Sequence, residues 1–168
     1  MPHPLVDQLR FTRSEWQRAL DGVTEAEAQR RFQPINCISW MVGHLAWQEQ
    51  LYWMTLAQQR TVVPHLNELA ASGGPASTPS LQQMWQAWQQ VTRAADHFLQ
   101  TLTAEQLAAH LTYEGEPITQ STGTLLHRVI YHYWYHIGEA QAVRQLLGHA
   151  DLPQFVGDIG AHAPYRPA

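Results

Sequence analysis

Two histidines on one stretch, His132 and His136, are four residues apart, and the positions around them, Leu125, Val129, Ala140, Val143 and Leu147, repeat at offsets of four and three. On a helix that spacing puts both imidazoles on one inward face, about 6 Å apart at their origins, the separation used to chelate a single metal ion. A third histidine, His44, falls in another stripe of core-seeking residues, between Trp40, Trp47 and Leu51. Three imidazoles on facing stripes with other coordination positions left open are a catalytic arrangement rather than a closed structural one. The competing reading is three core histidines, each bonded to a backbone or side-chain partner. Burying them without any partner would cost about 1 to 3 kcal/mol each, so spacing alone leaves a metal site and a hydrogen-bonded core both open.

Close to these positions, Gln48 lies one turn beyond His44, and Arg128 and Glu139 lie one turn either side of the histidine pair. Glu139 is the candidate to orient an imidazole or to hold a substrate proton, and Gln48 and Arg128 are candidates to contact a bound cofactor. Solvated helix faces explain Arg128 and Glu139 equally well. The seven remaining histidines, His3, His65, His97, His110, His127, His149 and His162, read as solvated. Cys37, the one cysteine, is either a thiol activated by a helix N-terminus or a small core residue, and it excludes an intrachain disulfide and a thiolate zinc cluster. All ten cationic residues are arginines, so Schiff-base, P-loop and general-base lysine chemistry are excluded.

Four long helices must carry these groups. Leu5, Leu9, Trp16 and Leu20 mark the first, over 4–21, with Gly22 as its stop; Thr24 caps a short helix through Arg31, and Pro34 breaks the chain. The second opens at Asn36 as N-cap and runs to Gln59. Residues 60–79, rich in Gly, Pro, Ser and Ala, form a long crossover. The third follows Ser80 and carries Leu81, Met84, Trp88, Val91, Phe98 and Leu102 on one face. Thr103 to Gln106 matches a capping box, and Tyr113–Ile118 reads as a loop. The fourth spans 122–147 and ends at Gly148. No strand is expected. The fold class is therefore all-α, a four-helix bundle in up-down-down-up order, in one domain of 168 residues, with 149–168 as a tail packed over it. The Trp and Tyr residues, Tyr133 and Trp134 among them, are core or dimer surface. At ~1.5 Å per residue, His44 is roughly 10 Å from the start of its helix and His136 roughly 16 Å from the end of its own, so antiparallel helices bring them to within about one turn of each other.

A net charge of −4 with scattered arginines gives no footprint for nucleic acid. No window is apolar enough for a membrane span, and no signal-type segment opens the chain, so a cytoplasmic location is expected.

The segments SWMVGHLAWQEQLYW and LLHRVIYHYWYHIGEAQAVRQLLG resemble the DinB-like family over essentially the whole chain. The family's histidine early in the second helix, and its H-x-x-x-H pair followed by a glycine and an acid or amide, fall on His44, His132, His136, Gly138 and Glu139. The resemblance implies a bundle of this order, often homodimeric, in which the three histidines bind one divalent ion, commonly nickel, zinc or iron. It also implies a small-molecule substrate and activity of the thiol S-transferase or hydrolase type, with a low-molecular-weight thiol as a further cofactor; relatives include a maleylpyruvate isomerase. The family's sulfoxide synthases have a second domain that this chain lacks, which directs expectation away from their iron chemistry. The alternative is a non-catalytic metal- or ligand-binding bundle or an interaction module. Glu139 replaces a frequent amide and Ile137 an arginine.

Overall fold

The structure, a computed structural model, describes residues 2–167. It is mostly helical. Helix α1 (Pro4–Ala19) opens with Pro4 in its first turn, where a missing N–H costs nothing, and the Nδ1 of His3 accepts the Leu5 N–H at 3.2 Å. Helix α2 (Glu25–Gln29) is held by the Thr24–Glu27 capping box. Helix α3 (Ile38–Glu49) continues without a break into a π-helical segment, Gln50–Leu56. After α4 (Leu66–Leu69) come α5 (Leu81–Leu99), capped by Ser80, and α6 (Ala104–Ala108), held by the Thr103–Gln106 capping box. Strands β1 (His110–Tyr113) and β2 (Glu116–Ser121) lead directly into α7 (Thr122–Leu146), and α8 (Ile159–His162) lies in the tail.

Helix α3 packs on α5 and α7, and α1 packs on α7. The core between them includes Trp16, Met41, Leu45, Trp53, Met84 and Tyr133, all fully buried. Burying each such apolar side chain contributes on the order of 1.5–3 kcal/mol. The tail is anchored on α1: Gln8 donates to the Ala163 carbonyl at 2.8 Å, and Arg18 donates to the Gln154 carbonyl while its guanidinium lies 4.7 Å from the Phe155 ring centre.

Several expectations from the sequence are corrected here. Tyr113–Ile118 is no irregular loop: it is the tip of an antiparallel hairpin in which Tyr113 pairs with Glu116 across Glu114 and Gly115. Those two residues have φ of +52° and +89°, the backbone that two-residue hairpin turns require. The strands are largely exposed, so neither face carries the apolar alternation that announces a half-buried strand. Asn36 does not cap the second helix. The turn in which the Ile35 N–H bonds to the Phe32 carbonyl keeps it outside, and Cys37 takes the N-cap position without a side-chain bond. The crossover contains α4, and Gln50 fastens its beginning by donating to the Val63 carbonyl at 3.0 Å and accepting from the Val62 and Val63 N–H groups.

Candidate metal centre

Helix α3 is buried around most of its circumference, and His44 is 5 % exposed among those core residues. The chain passes close because residue 43 is glycine: a Cβ there would run into the Met84 side chain and stand 3.1 Å from the Ala70 Cβ. That approach lets the Ala70 carbonyl, just past α4, sit 2.8 Å from His44 Nδ1. The imidazole is also stacked between two indoles, Trp40 at 4.4 Å and 13° and Trp47 at 5.4 Å and 17°. Trp47 is itself fixed by donating to Asn67 at 3.0 Å. The ring of His44 is thus held in both tilt and rotation.

Helix α7 presents the other two. His132 Nδ1 lies 2.8 Å from Gln48 Oε1, and His136 Nδ1 lies 2.7 Å from Glu139 Oε2. All three partners, a carbonyl, an amide oxygen and a carboxylate, are acceptors. Each Nδ1 therefore carries the hydrogen and each Nε2 is left with a lone pair. The Nε2 atoms of His132 and His136 face each other at 3.0 Å, and the ligand atoms of His44, His132 and His136 lie within 4.8 Å of one another. Two lone pairs at that separation repel unless positive charge lies between them. A proton on His44 or His132 is disfavoured: burial first, with His136 adding to it, pushes His44 down to about 4, and burial, His136, His44 and Arg128 push His132 down to about 3. A divalent ion fits the donor set. Two imidazole nitrogens, each about 2.0–2.1 Å from one ion and adjacent in its coordination shell, stand roughly 2.9 to 3.4 Å apart.

His44 and His136 are nearly enclosed, whereas His132 is half-buried and its ring is stacked at 6.5 Å on Tyr135, which is 66 % exposed. This gives the cluster a side toward solvent. The two larger surface depressions are lined by none of the three histidines: one of about 640 Å³ by His3, Ser121, His127, Arg128 and Tyr131, and one of about 520 Å³ by His3, Gln8, His127, Ile159 and Tyr165.

Of the residues singled out in the sequence, the structure brings together His44, His132, His136, Gln48 and Glu139. Arg128 is exposed and stands beside the cluster, acting on His132 through its charge. Cys37 is fully buried with its sulfur 3.3 Å from the Ser39 hydroxyl, a packed core residue. Of the seven histidines read as solvated, His65, His97, His110, His127 and His162 are exposed and His3 and His149 half-buried, and four of the seven also have structural partners. His149 accepts from Arg144 Nε at 3.0 Å and meets Glu27 at 3.1 Å, His3 caps α1, His110 Nδ1 meets the Ile118 carbonyl at 2.8 Å, and His162 stacks on Phe11. Sequence reasoning missed the Ala70 carbonyl, because a backbone group 26 residues from its partner carries no residue-type signal. It placed Trp40 and Trp47 on the His44 stripe as core-seeking residues; Trp40 is buried and Trp47 half-buried, and both also stack on the imidazole.

Residues 8–140 match the family model described as the DinB superfamily. No curated protein matches the chain.

Proposed function

The chain belongs to the DinB superfamily, and from that premise and the histidine geometry we propose that it is a metal-dependent enzyme of the thiol S-transferase or hydrolase type acting on a small molecule. The observation that carries this reading is the set of three imidazoles whose Nδ1 atoms are each tied to an acceptor and whose Nε2 atoms converge. His44, His132 and His136 would hold a divalent zinc, nickel or iron ion, which would supply Lewis-acid activation of a thiol or water.

The chain's own residues do the rest. Gln48 and Glu139 fix the tautomer and aim of His132 and His136. Trp40 and Trp47 keep bulk water from the His44 side. The half-buried edge of His132, next to Tyr135, is the approach for substrate, with Arg128 one turn away to attract an anionic group. The up-down-down-up order of the bundle is part of the proposal. It is supported by contacts that pair Ala19 with Arg144, His44 with His136, Gln48 with His132, and Trp53 with Phe98. No described helix is long and apolar enough to cross a membrane.

The near-enclosure of His44 and His136 favours one other reading, a non-catalytic metal-binding bundle. Elemental analysis of tag-free protein should find about one equivalent of metal, lost in His132→Ala; equal trace amounts in both would end the metal reading. Cobalt-loaded protein separates the two functions. Added thiol should change its visible absorption, and a spectrum indifferent to thiols, azide and imidazole would show a closed ion and end the enzyme reading.

A further inference from the structure

Between the helices that carry the histidines runs a buried polar chain that no ligand contact requires. Glu49, fully buried on α3, accepts a hydrogen bond from the Tyr133 hydroxyl of α7 at 2.7 Å. It also pairs through both carboxylate oxygens with Arg13 of α1, from Nε at 2.8 Å and from NH2. Arg13 reaches on to Asp96 of α5 at 2.7 Å, and the Tyr133 oxygen accepts from Trp88 Nε1 of α5 at 2.6 Å. One network therefore joins α1, α3, α5 and α7.

Its placement is informative. Gln48 and Glu49 are neighbours on α3, His132 and Tyr133 are neighbours on α7, and they pair in order: Gln48 with His132, Glu49 with Tyr133. Two consecutive bonds between the same two helices fix their axial register at the height of the histidines. A slip of one residue, about 1.5 Å along either axis, breaks both bonds and carries His44 away from His132 and His136. A buried ion pair is a poor means of adding stability, because apolar residues of similar volume usually do as well or better; its best-attested use is to specify register.

We infer that Glu49 and Tyr133 are positioning residues that set the α3–α7 register and so bring His44 to the α7 histidine pair. The consequence for metal affinity rests on the metal reading above; the register itself does not.

The test uses the full chain with Tyr133→Phe, which removes the bond to Glu49 while leaving Glu49 paired to Arg13. Trp88→Phe is its control, since it removes the other bond to the phenol and leaves Tyr133–Glu49 intact. Zinc affinity is measured by chelator competition under conditions where circular dichroism shows both variants folded. Imidazole nitrogen resonances are recorded on the metal-free proteins. Tyr133→Phe should weaken zinc binding about tenfold or more and shift the ring resonances of His44 and His132, while Trp88→Phe should do neither. Unchanged rings in Tyr133→Phe, or the same change in Trp88→Phe, would overturn the inference. If the wild-type protein takes up no zinc, the metal reading falls, and the rings of metal-free Tyr133→Phe still decide whether the register is set here.

Discussion

Replacing Glu139 by alanine should weaken metal binding about 10- to 100-fold without unfolding the protein. The carboxylate lies 2.7 Å from His136 Nδ1, and its side chain is 19 % exposed, so the bond is charge-assisted and largely shielded from water. Such a bond is worth on the order of 1.5–3 kcal/mol, which at 1.4 kcal/mol per decade is roughly a 10- to 100-fold change in affinity. That range agrees with what removing an outer partner of a ligand histidine usually costs. Glu139→Gln keeps an acceptor and loses the charge, and a neutral bond is worth about 1 kcal/mol less, so the drop should be roughly fivefold. The assay is competition for zinc against a chromophoric chelator at pH 7.5, with the metal-free variants checked by circular dichroism. If Glu139→Ala stays within twofold of wild type, or if Glu139→Gln binds worse than alanine, the orienting role of the carboxylate is refuted.

Gly43→Ala should destabilise the protein by about 1–3 kcal/mol in urea denaturation, because the new methyl meets Met84 and Ala70 and overpacking outweighs the gain of up to about 1 kcal/mol in helix propensity. Arg13→Met should cost about 3–5 kcal/mol by leaving Glu49 buried without its cation; adding Glu49→Leu should restore most of the stability in the same measurement but not the metal affinity. Glu27 has its carboxyl lowered to about 2, by the Thr24 N–H first and then His149. With the folded value below the ordinary 4.5, its contribution is complete above about pH 4.5 and is lost as pH falls toward 2. Urea midpoints followed from pH 6 to pH 2 should therefore fall less steeply in Glu27→Gln than in wild type, and parallel curves would refute it.

What the sequence reveals here follows the range of each interaction. Capping boxes such as Thr24–Glu27 and Thr103–Gln106 close within three residues, so residue types name them directly. The three histidines were legible because each falls on an inward stripe, where a polar ring needs a reason. The hairpin was not, because its exposed strands have no buried face to impose a period of two. The Ala70 carbonyl and the Arg13–Glu49–Tyr133 chain join residues 26 to 84 positions apart. Glu49 is charged and sits beside Gln48, so its residue type suggests solvent; only the packing of α1, α3 and α7 makes it an interior group.

The crossover has two tethered ends and a slack middle. Gln50 binds its start at Val62 and Val63, and Ala70 at the foot of α4 binds His44, while Ser77 donates to the Leu69 carbonyl on the far side. Between them Ser72–Ala76 are exposed, around a turn closed by the Gly74 N–H on the Ala71 carbonyl. A foreign segment spliced in at Gly73 or Gly74 would leave these bonds in place, so an affinity tag or fluorescent reporter inserted there would sit a few residues along the chain from the carbonyl that holds His44 without bearing on it.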